Sequence, residues 1–220
     1  MRLIAHRGCA ARGPENTVCA IERALSHVDA VEVDVRRCGS GELVVVHDAT
    51  LGRLTGLDRP VSAVDYETLR SYAVLDSDQS IPRLTDVVDA LPADVGLNVE
   101  LKERGLAADV ETAVADHPEV WVSSFDATAL AETHLPRAFL FAGDGDGADD
   151  WTAGVATARD LDCVAVHPQY DLVVDTPERV ADAHDAGLAV NAWTPPPAVV
   201  PRLRRAAVDG VIVDDWTVDG

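Results

Sequence analysis

The run "AVEVDV", residues 30–35, sets two carboxylates into an otherwise apolar stretch. Valine at this density favours an extended strand, and successive side chains on a strand point to opposite faces. Glu32 and Asp34 therefore share one face, while Val31, Val33 and Val35 share the other. A buried carboxylate is costly unless it is paired or bound to a cation. The bland alternative, an edge strand with one wet face, is open only if the sheet has an edge.

The rest of the chain indicates that it has none. Further apolar runs occur at 2–6, 97–101, 119–124, 137–142, 162–166, 188–192 and 210–214. Amphipathic stretches at 83–91, 106–116, 126–134, 150–160, 177–186 and 198–208 alternate with them. Thr176-Pro177 reads as an N-cap followed by proline at the first helical position, and Gly187 and Gly210 stand where helix C-caps belong. Strand–helix alternation predicts a parallel sheet, and eight strands are the number that closes a barrel. The fold class is therefore α/β, a (β/α)8 TIM barrel, with residues 1–220 read as one barrel domain. In that fold the valines face the helices and the acids face the interior or its mouth.

One interval breaks the rhythm. Gly39-Ser40-Gly41 is a turn signal, and ELVVVH at 42–47 reads as a hairpin strand extending the second strand. Residues 49–82 read as a small, polar, loop-rich insertion. The DGDG run at 144–147 lacks the full calcium-loop pattern and reads as a surface turn.

Composition narrows the function classes. The chain carries 38 acidic and 18 basic residues, a formal net charge of −20, which argues against a nucleic-acid partner and against stable membrane association. Lys102 is the sole lysine; every other basic residue is arginine. An acid excess spread over the whole chain, with lysine depleted, resembles proteins of salt-loving organisms. A GC-rich genome also favours arginine over lysine, but it leaves the acid excess unexplained. The cysteines, Cys9, Cys19, Cys38 and Cys163, form no CxxC pair, which argues against zinc and for reduced thiols in a cytoplasmic protein. No apolar targeting segment and no run of membrane-spanning length is visible.

The run NVELK, 98–102, repeats the spacing of the first: Glu100 and Lys102 fall on one face. Carboxylates at Glu32, Asp34 and Glu100 then converge from neighbouring strands. Three oxygen donors without cysteine suit a hard divalent cation, Mg2+ or Ca2+, with Mn2+ also a candidate. Lys102 beside them suits a phosphate oxygen; the bland reading is an exposed Glu100–Lys102 ion pair. His6 ends the first strand and His47 ends the hairpin strand, a pairing suited to general acid and base. His27, His117, His134 and His184 fall in helical or loop segments and read as structural. His167 ends the sixth strand near the mouth and takes no role.

Taken in order, AHRG (5–8), PENT (14–17), VEVDVRR (31–37), VVVHDATLGRLTG (44–56), IPRLTDVV (81–88), NVELK (98–102), SSFD (123–126) and NAWT (191–194) resemble the glycerophosphodiester phosphodiesterases over nearly the whole chain. Each motif alone is weak; the ordered set is specific. The resemblance implies a (β/α)8 barrel with a small insertion after the second strand. It implies a divalent metal on the residues matching Glu32, Asp34 and Glu100, and a catalytic pair matching His6 and His47. It implies phosphate binding by Arg7 and Lys102, and packing of Phe125 and Trp193 against the alcohol. Glu15 and Asn16 are expected to cap the first helix and to brace the site from behind. A departure is Pro195-Pro196-Pro197 after NAWT, a stiff loop bordering the mouth.

The expected reaction is metal-dependent hydrolysis of a small-molecule glycerophosphodiester to an alcohol and glycerol 3-phosphate. The resemblance further implies that a hydroxyl next to the phosphate attacks first and that water then opens the resulting cyclic phosphate. Two alternatives remain: a phospholipase D-like enzyme acting on lysophospholipids, and a non-catalytic phosphate-binding barrel. Leaving-group specificity and oligomeric state are not legible.

Overall fold

The computed structural model describes residues 1–143 and 147–218. Its strands are β1 (Arg2–His6), β2 (Ala30–Arg37), β3 (Leu43–Val45), β4 (Gly96–Leu101), β5 (Val120–Ser124), β6 (Arg137–Phe141), β7 (Ala165–Pro168), β8 (Ala189–Trp193) and β9 (Gly210–Val213). They hydrogen-bond in the order β1-β9-β8-β7-β6-β5-β4-β2-β3, and β1 also pairs with β2. Eight parallel strands therefore close into a ring, with β3 outside it as the antiparallel hairpin partner of β2. This is the (β/α)8 barrel predicted from the alternation.

The helices are α1 (Val18–Ala24), α2 (Gly52–Thr55), α3 (Tyr66–Leu69), α4 (Leu84–Ala90), α5 (Ala107–Ala113), α6 (Ala127–Ala131), α7 (Gly147–Asp160), α8 (Asp171–Val174), α9 (Glu178–Asp185) and α10 (Val200–Arg205). Among the described residues, none is long and apolar enough to cross a membrane. The expected turn at 144–147 lies outside the described residues except for Gly147, which opens α7.

The period-2 reading of β2 holds. Val31, Val33 and Val35 join the large core between sheet and helices, while Ile4, Ala30, Trp121, Ala138, Ala165 and Ile212 form a separate cluster inside the ring. Full burial of one valine stabilises by about 1.5–3 kcal/mol. Desolvating one unmatched carboxylate costs several kcal/mol. The two sums are of the same order, so burying the valines leaves little or no surplus, and Glu32 and Asp34 stay ionised only where cations pair with them.

Four expectations are corrected. Gly210 is no C-cap: it opens β9, where a Cβ would lie 2.5 Å from Asn191 Oδ1 inside the barrel, and Ala207 (φ +63) takes the left-handed position after α10 instead. Gly187 does follow α9 with φ +78. Helix α9 begins at Glu178, with Pro177 in the cap position and no side-chain cap. The sixth barrel strand starts at Ala165, because Asp162 turns left-handed and Cys163 N–H donates to Ala158 C=O, closing α7. The insertion, finally, is more than polar loop. Leu51, Leu54, Val61, Val64, Leu69 and Ile81 bury against Val44 and Val46 of the hairpin as a second core.

Candidate active site

Strand neighbours assemble the site. His6 pairs in register with Glu32, and Asp34 with Glu100, so β1, β2 and β4 bring three acids and a histidine to one end of the barrel. His47 arrives from beyond β3, and Lys102 stands one residue past β4. Together His6, Arg7, Glu32, His47, Glu100 and Lys102 line a cavity of about 270 Å3 at the strands' C-terminal ends. That is the end at which such barrels carry their chemistry. Asp34 lies behind this lining with no exposed surface.

One oxygen from each of Glu32, Asp34 and Glu100 lies within 4.8 Å of the others. Arg7 Nε approaches Asp34 Oδ2 at 3.1 Å, and Lys102 Nζ approaches Asp34 Oδ1 at 2.9 Å while also contacting Glu100. Burial pushes the Asp34 carboxyl up, but Lys102 and Arg7 outweigh it and hold Asp34 below the usual range. Glu32 and Glu100 go the other way: burial, then repulsion from Asp34, hold both above it. Glu32 Oε1 is buried and has no hydrogen-bond partner. With three converging carboxyl groups against two cations, Glu32 and Glu100 resist ionisation and one oxygen is unmatched; a hard divalent ion would relieve both, so the donor set fits one.

The two histidines share one architecture. His6 Nδ1 lies 2.6 Å from Asp214 Oδ1, and His47 Nδ1 lies 2.8 Å from Asp48 Oδ1. Ionised carboxylates only accept, so Nδ1 carries the proton in each ring and Nε2 is left for the cavity. His6 Nε2 stands 4.0 Å from Glu32 Oε2. Burial is the largest influence on His6 and acts downward; the Asp214 hydrogen bond and the Glu32 charge reverse it and raise the ring. Burial also leads at His47, where Asp48 opposes it without reversing it, so His47 is lowered.

The loop after β1 is strained. Arg7, Gly8 and Cys9 follow one another at φ +52, +75 and +66, and a Cβ at Gly8 would lie 2.9 Å from Ile21 N. Left-handed residues in series are rare outside constrained sites. Here they turn the Arg7 N–H onto Glu32 Oε2 at 3.0 Å and its guanidinium onto Glu15 at 3.0 Å. Helix α1 is capped by Thr17, whose Oγ1 accepts from Ala20 N–H at 3.3 Å, which corrects the capping role expected of Glu15 and Asn16. Asn16 is itself left-handed, φ +58, which turns it toward β2. There its Nδ2 donates to Asp34 Oδ2 at 2.8 Å, and its Oδ1 accepts from Asp34 N–H at 3.3 Å.

Phe125 and Trp193 meet edge to face across the lip, centroids 5.8 Å apart, with Phe125 half exposed. His167 does not reach the mouth. It is sealed inside the barrel beside Asn191 (Nε2 to Nδ2, 3.1 Å), and burial pushes its pKa down to about 3. The other four histidines stay outside the cavity: His27 stacks on Trp216, His117 meets the Val95 carbonyl, His134 donates its backbone N–H to Glu111, and His184 meets Asp209. Sequence reasoning missed Asp214 and Asp48 as histidine partners, and Asn98 and Ser123, which face the cavity fully buried. The signal for Asp214 was an apolar strand ending in an acid, VIVD; for Asn98, the same period-2 face as Glu100.

Cations placed beside a carboxylate triad, with two carboxylate-backed imidazoles facing them, describe a barrel enzyme for phosphate esters. Comparison with known proteins narrows that class. The chain belongs to the glycerophosphoryl diester phosphodiesterase family, whose model matches residues 6–112 and 103–218. It is 32% identical to a Mycobacterium tuberculosis protein named "Probable glycerophosphodiester phosphodiesterase 2", over 96% of this chain and 86% of that one. A crystal structure of glycerophosphodiester phosphodiesterase from Thermotoga maritima superposes with TM-score 0.85 at 27% identity, covering 98% of this chain and 95% of that one. An Oleispira antarctica phosphodiesterase, solved in complex with its product sn-glycerol-3-phosphate, gives TM-score 0.85 at 25% identity, covering 97% and 93%.

Proposed function

We propose that the chain hydrolyses glycerophosphodiesters to an alcohol and glycerol 3-phosphate, using His6 and His47 as base and acid. The observation that carries the reading is the pair of imidazoles, each with Nδ1 on an aspartate and Nε2 free for the cavity that Arg7 and Lys102 share. Charge supports it. Glu32, Asp34 and Glu100 against Arg7 and Lys102 leave a single negative charge. A divalent cation turns that into a single positive charge, which matches a phosphodiester monoanion.

Glu32, Asp34 and Glu100 would hold Mg2+, Ca2+ or Mn2+, which when bound polarises a phosphoryl oxygen and cancels the Glu32 charge that lifts His6. Arg7 and Lys102 take the remaining phosphate charge, which stabilises the reaction only as far as they bind the transition state better than the ground state. His6 Nε2, beside Glu32, accepts the proton of the glycerol hydroxyl next to the phosphate as its oxygen bonds to phosphorus. His47, nearer the opening, enters as the imidazolium, with Nδ1–H held by Asp48 and a second proton on Nε2, and gives the Nε2 proton to the departing alkoxide as the phosphorus–oxygen bond breaks; burial works against that charged form and the Asp48 carboxylate favours it. Water opens the cyclic phosphate with the two roles reversed. Glu15 and Asn16 brace Arg7 and Asp34, and Phe125 and Trp193 contact the alcohol. The chain acts as one catalytic unit.

The half-exposed Phe125 favours a second reading, in which the lip accepts the acyl chain of a lysophospholipid. Free, mostly buried cysteines support a cytoplasmic setting. The net charge of −20 supports a small-molecule partner over nucleic acid, and with a sole lysine it supports a halophilic source. At molar salt the Debye length is about 3 Å, so surface repulsion of an anionic substrate is screened and the local cations govern binding.

The test is release of glycerol 3-phosphate from glycerophosphocholine in molar salt after EDTA stripping, with Mg2+, Ca2+ or Mn2+ restored in turn. Metal-dependent release supports the reading. Faster turnover of lysophosphatidylcholine micelles favours the second one. A folded protein inert to both, and to bis-p-nitrophenyl phosphate, overturns catalysis by this site.

A further inference from the structure

The insertion places one guanidinium between two functional pairs. Arg53 Nε donates to Asp48 Oδ2 at 2.6 Å, while Nη1 and Nη2 donate to Glu15 Oε2 and Oε1 at 2.7 and 2.8 Å. Each carboxylate also holds a cavity residue. Asp48 Oδ1 faces His47 Nδ1 at 2.8 Å, and Glu15 Oε1 accepts from Arg7 Nη1 at 3.0 Å. A charged chain thus runs His47–Asp48–Arg53–Glu15–Arg7–Asp34. The guanidinium is planar with donors in a fixed fork, so it sets the spacing and angle between the carboxylates that grip it.

We propose that Arg53 is a positioning residue: it locks the His47–Asp48 pair to the Arg7–Glu15 pair, so that the imidazole and the phosphate-binding cation face the same diester. This rests on the roles given above to His47 and Arg7. The bland alternative is a surface ion-pair cluster. Two observations oppose it. The side chains of Glu15 and Asp48 are only 10% and 24% exposed, and each connects onward to the cavity. Arg53 is 46% exposed, and ion pairs of that exposure contribute little to stability. Its loss should therefore be felt in geometry rather than in folding. Asp48 is held ionised, at about 2, first by its Arg53 hydrogen bond. The backbone that aims Arg53 is α2, pinned by the buried Leu51 and Leu54 of the second core and ended by Gly56 at φ +75. On this reading the insertion serves as a bracket for two catalytic groups.

The experiment compares Arg53→Gln, Arg53→Lys, Glu15→Gln, Asp48→Asn and the double variant R53Q/D48N in glycerophosphocholine hydrolysis, with melting temperature measured alongside. Arg53→Gln should lower kcat by ~10–100-fold, the usual loss when an orienting partner is removed. KM should rise a few-fold through Arg7, about as in Glu15→Gln, and the melting temperature should hold. Arg53→Lys keeps the charge but not the fork, so it should recover only part of the loss. The double variant should be about as slow as its worse single parent, because both act through His47. Wild-type turnover with Arg53→Gln within twofold of it would overturn the assignment while leaving the reaction intact. So would a double-variant loss equal to the product of the single losses. Should Arg53→Gln unfold, Glu15→Gln decides, since it breaks the same bridge from the barrel side: unchanged kcat and KM there also overturn the proposal.

Discussion

His6 Nδ1 and Asp214 Oδ1 lie 2.6 Å apart, although 208 positions separate them in the chain. The contact fixes which nitrogen carries the proton. An asparagine at 214 can offer its NH2 to Nδ1 and stabilise the wrong tautomer. Asp214→Asn should therefore reduce kcat by roughly 10²–10⁴-fold, the scale seen when an orienting aspartate is neutralised in a hydrolase. KM should move little, and steady-state kinetics on glycerophosphocholine check both numbers.

Loss of either imidazole removes proton transfer itself. His6→Ala and His47→Ala should each cost on the order of 10²–10⁴ in kcat. Near-full activity in both variants would end the two-histidine reading. A leaving group of low pKa, such as p-nitrophenolate, needs little protonation, so it should rescue His47→Ala more than His6→Ala; the opposite result would exchange the two roles.

Cation binding should be visible without turnover. A ligand that binds only the folded state at a hundred times its Kd stabilises by about 2.7 kcal/mol. Adding Mg2+, Ca2+ or Mn2+ to EDTA-stripped protein should raise the melting temperature. Glu32→Gln, which removes one carboxylate of the triad, should abolish the rise. An unchanged response would move the ion elsewhere.

His167 supplies a stability switch unrelated to catalysis. Its folded pKa is about 3 and the ordinary value is 6.5, so the folded ring refuses a proton that the unfolded chain accepts. Above pH 6.5 both states are neutral and the group has no effect; as pH falls from 6.5 toward 3, the unfolded state is increasingly favoured. At pH 5 the loss amounts to about 2 kcal/mol. Urea midpoints at pH 7.5 and pH 5 should converge in His167→Gln relative to wild type, because the substitution deletes this proton uptake.

The barrel was legible because period-2 alternation survives even where an acid occupies the inner face, as Glu32 and Asp34 do between valines. His6, His47, Arg7 and Lys102 were legible as ionisable groups at strand ends in a recognisable order. Asp214 and Arg53 were not, since their partners lie on elements joined only by strand pairing and by the packing of the insertion. The second core escaped notice because α2 and α3 have four residues each, too few to display a helical period. Gly210 follows a helix in sequence as a terminator would, but its lack of a side chain serves the close approach of Asn191 inside the barrel. Thr17 took the cap that Glu15 and Asn16 were expected to provide, because left-handed Asn16 faces β2 instead.

The seam between β1 and β9 joins the first strand to the last. His6 leaves the ribosome 208 residues ahead of Asp214, so the emerging polypeptide carries an imidazole without its orienting partner until the ring shuts. Hydrolytic competence is then a report of topological completion. A polypeptide severed between α6 and β6 should be silent in either fragment and regain turnover only where the fragments reassociate, which would make this reaction an enzymatic sensor of barrel assembly.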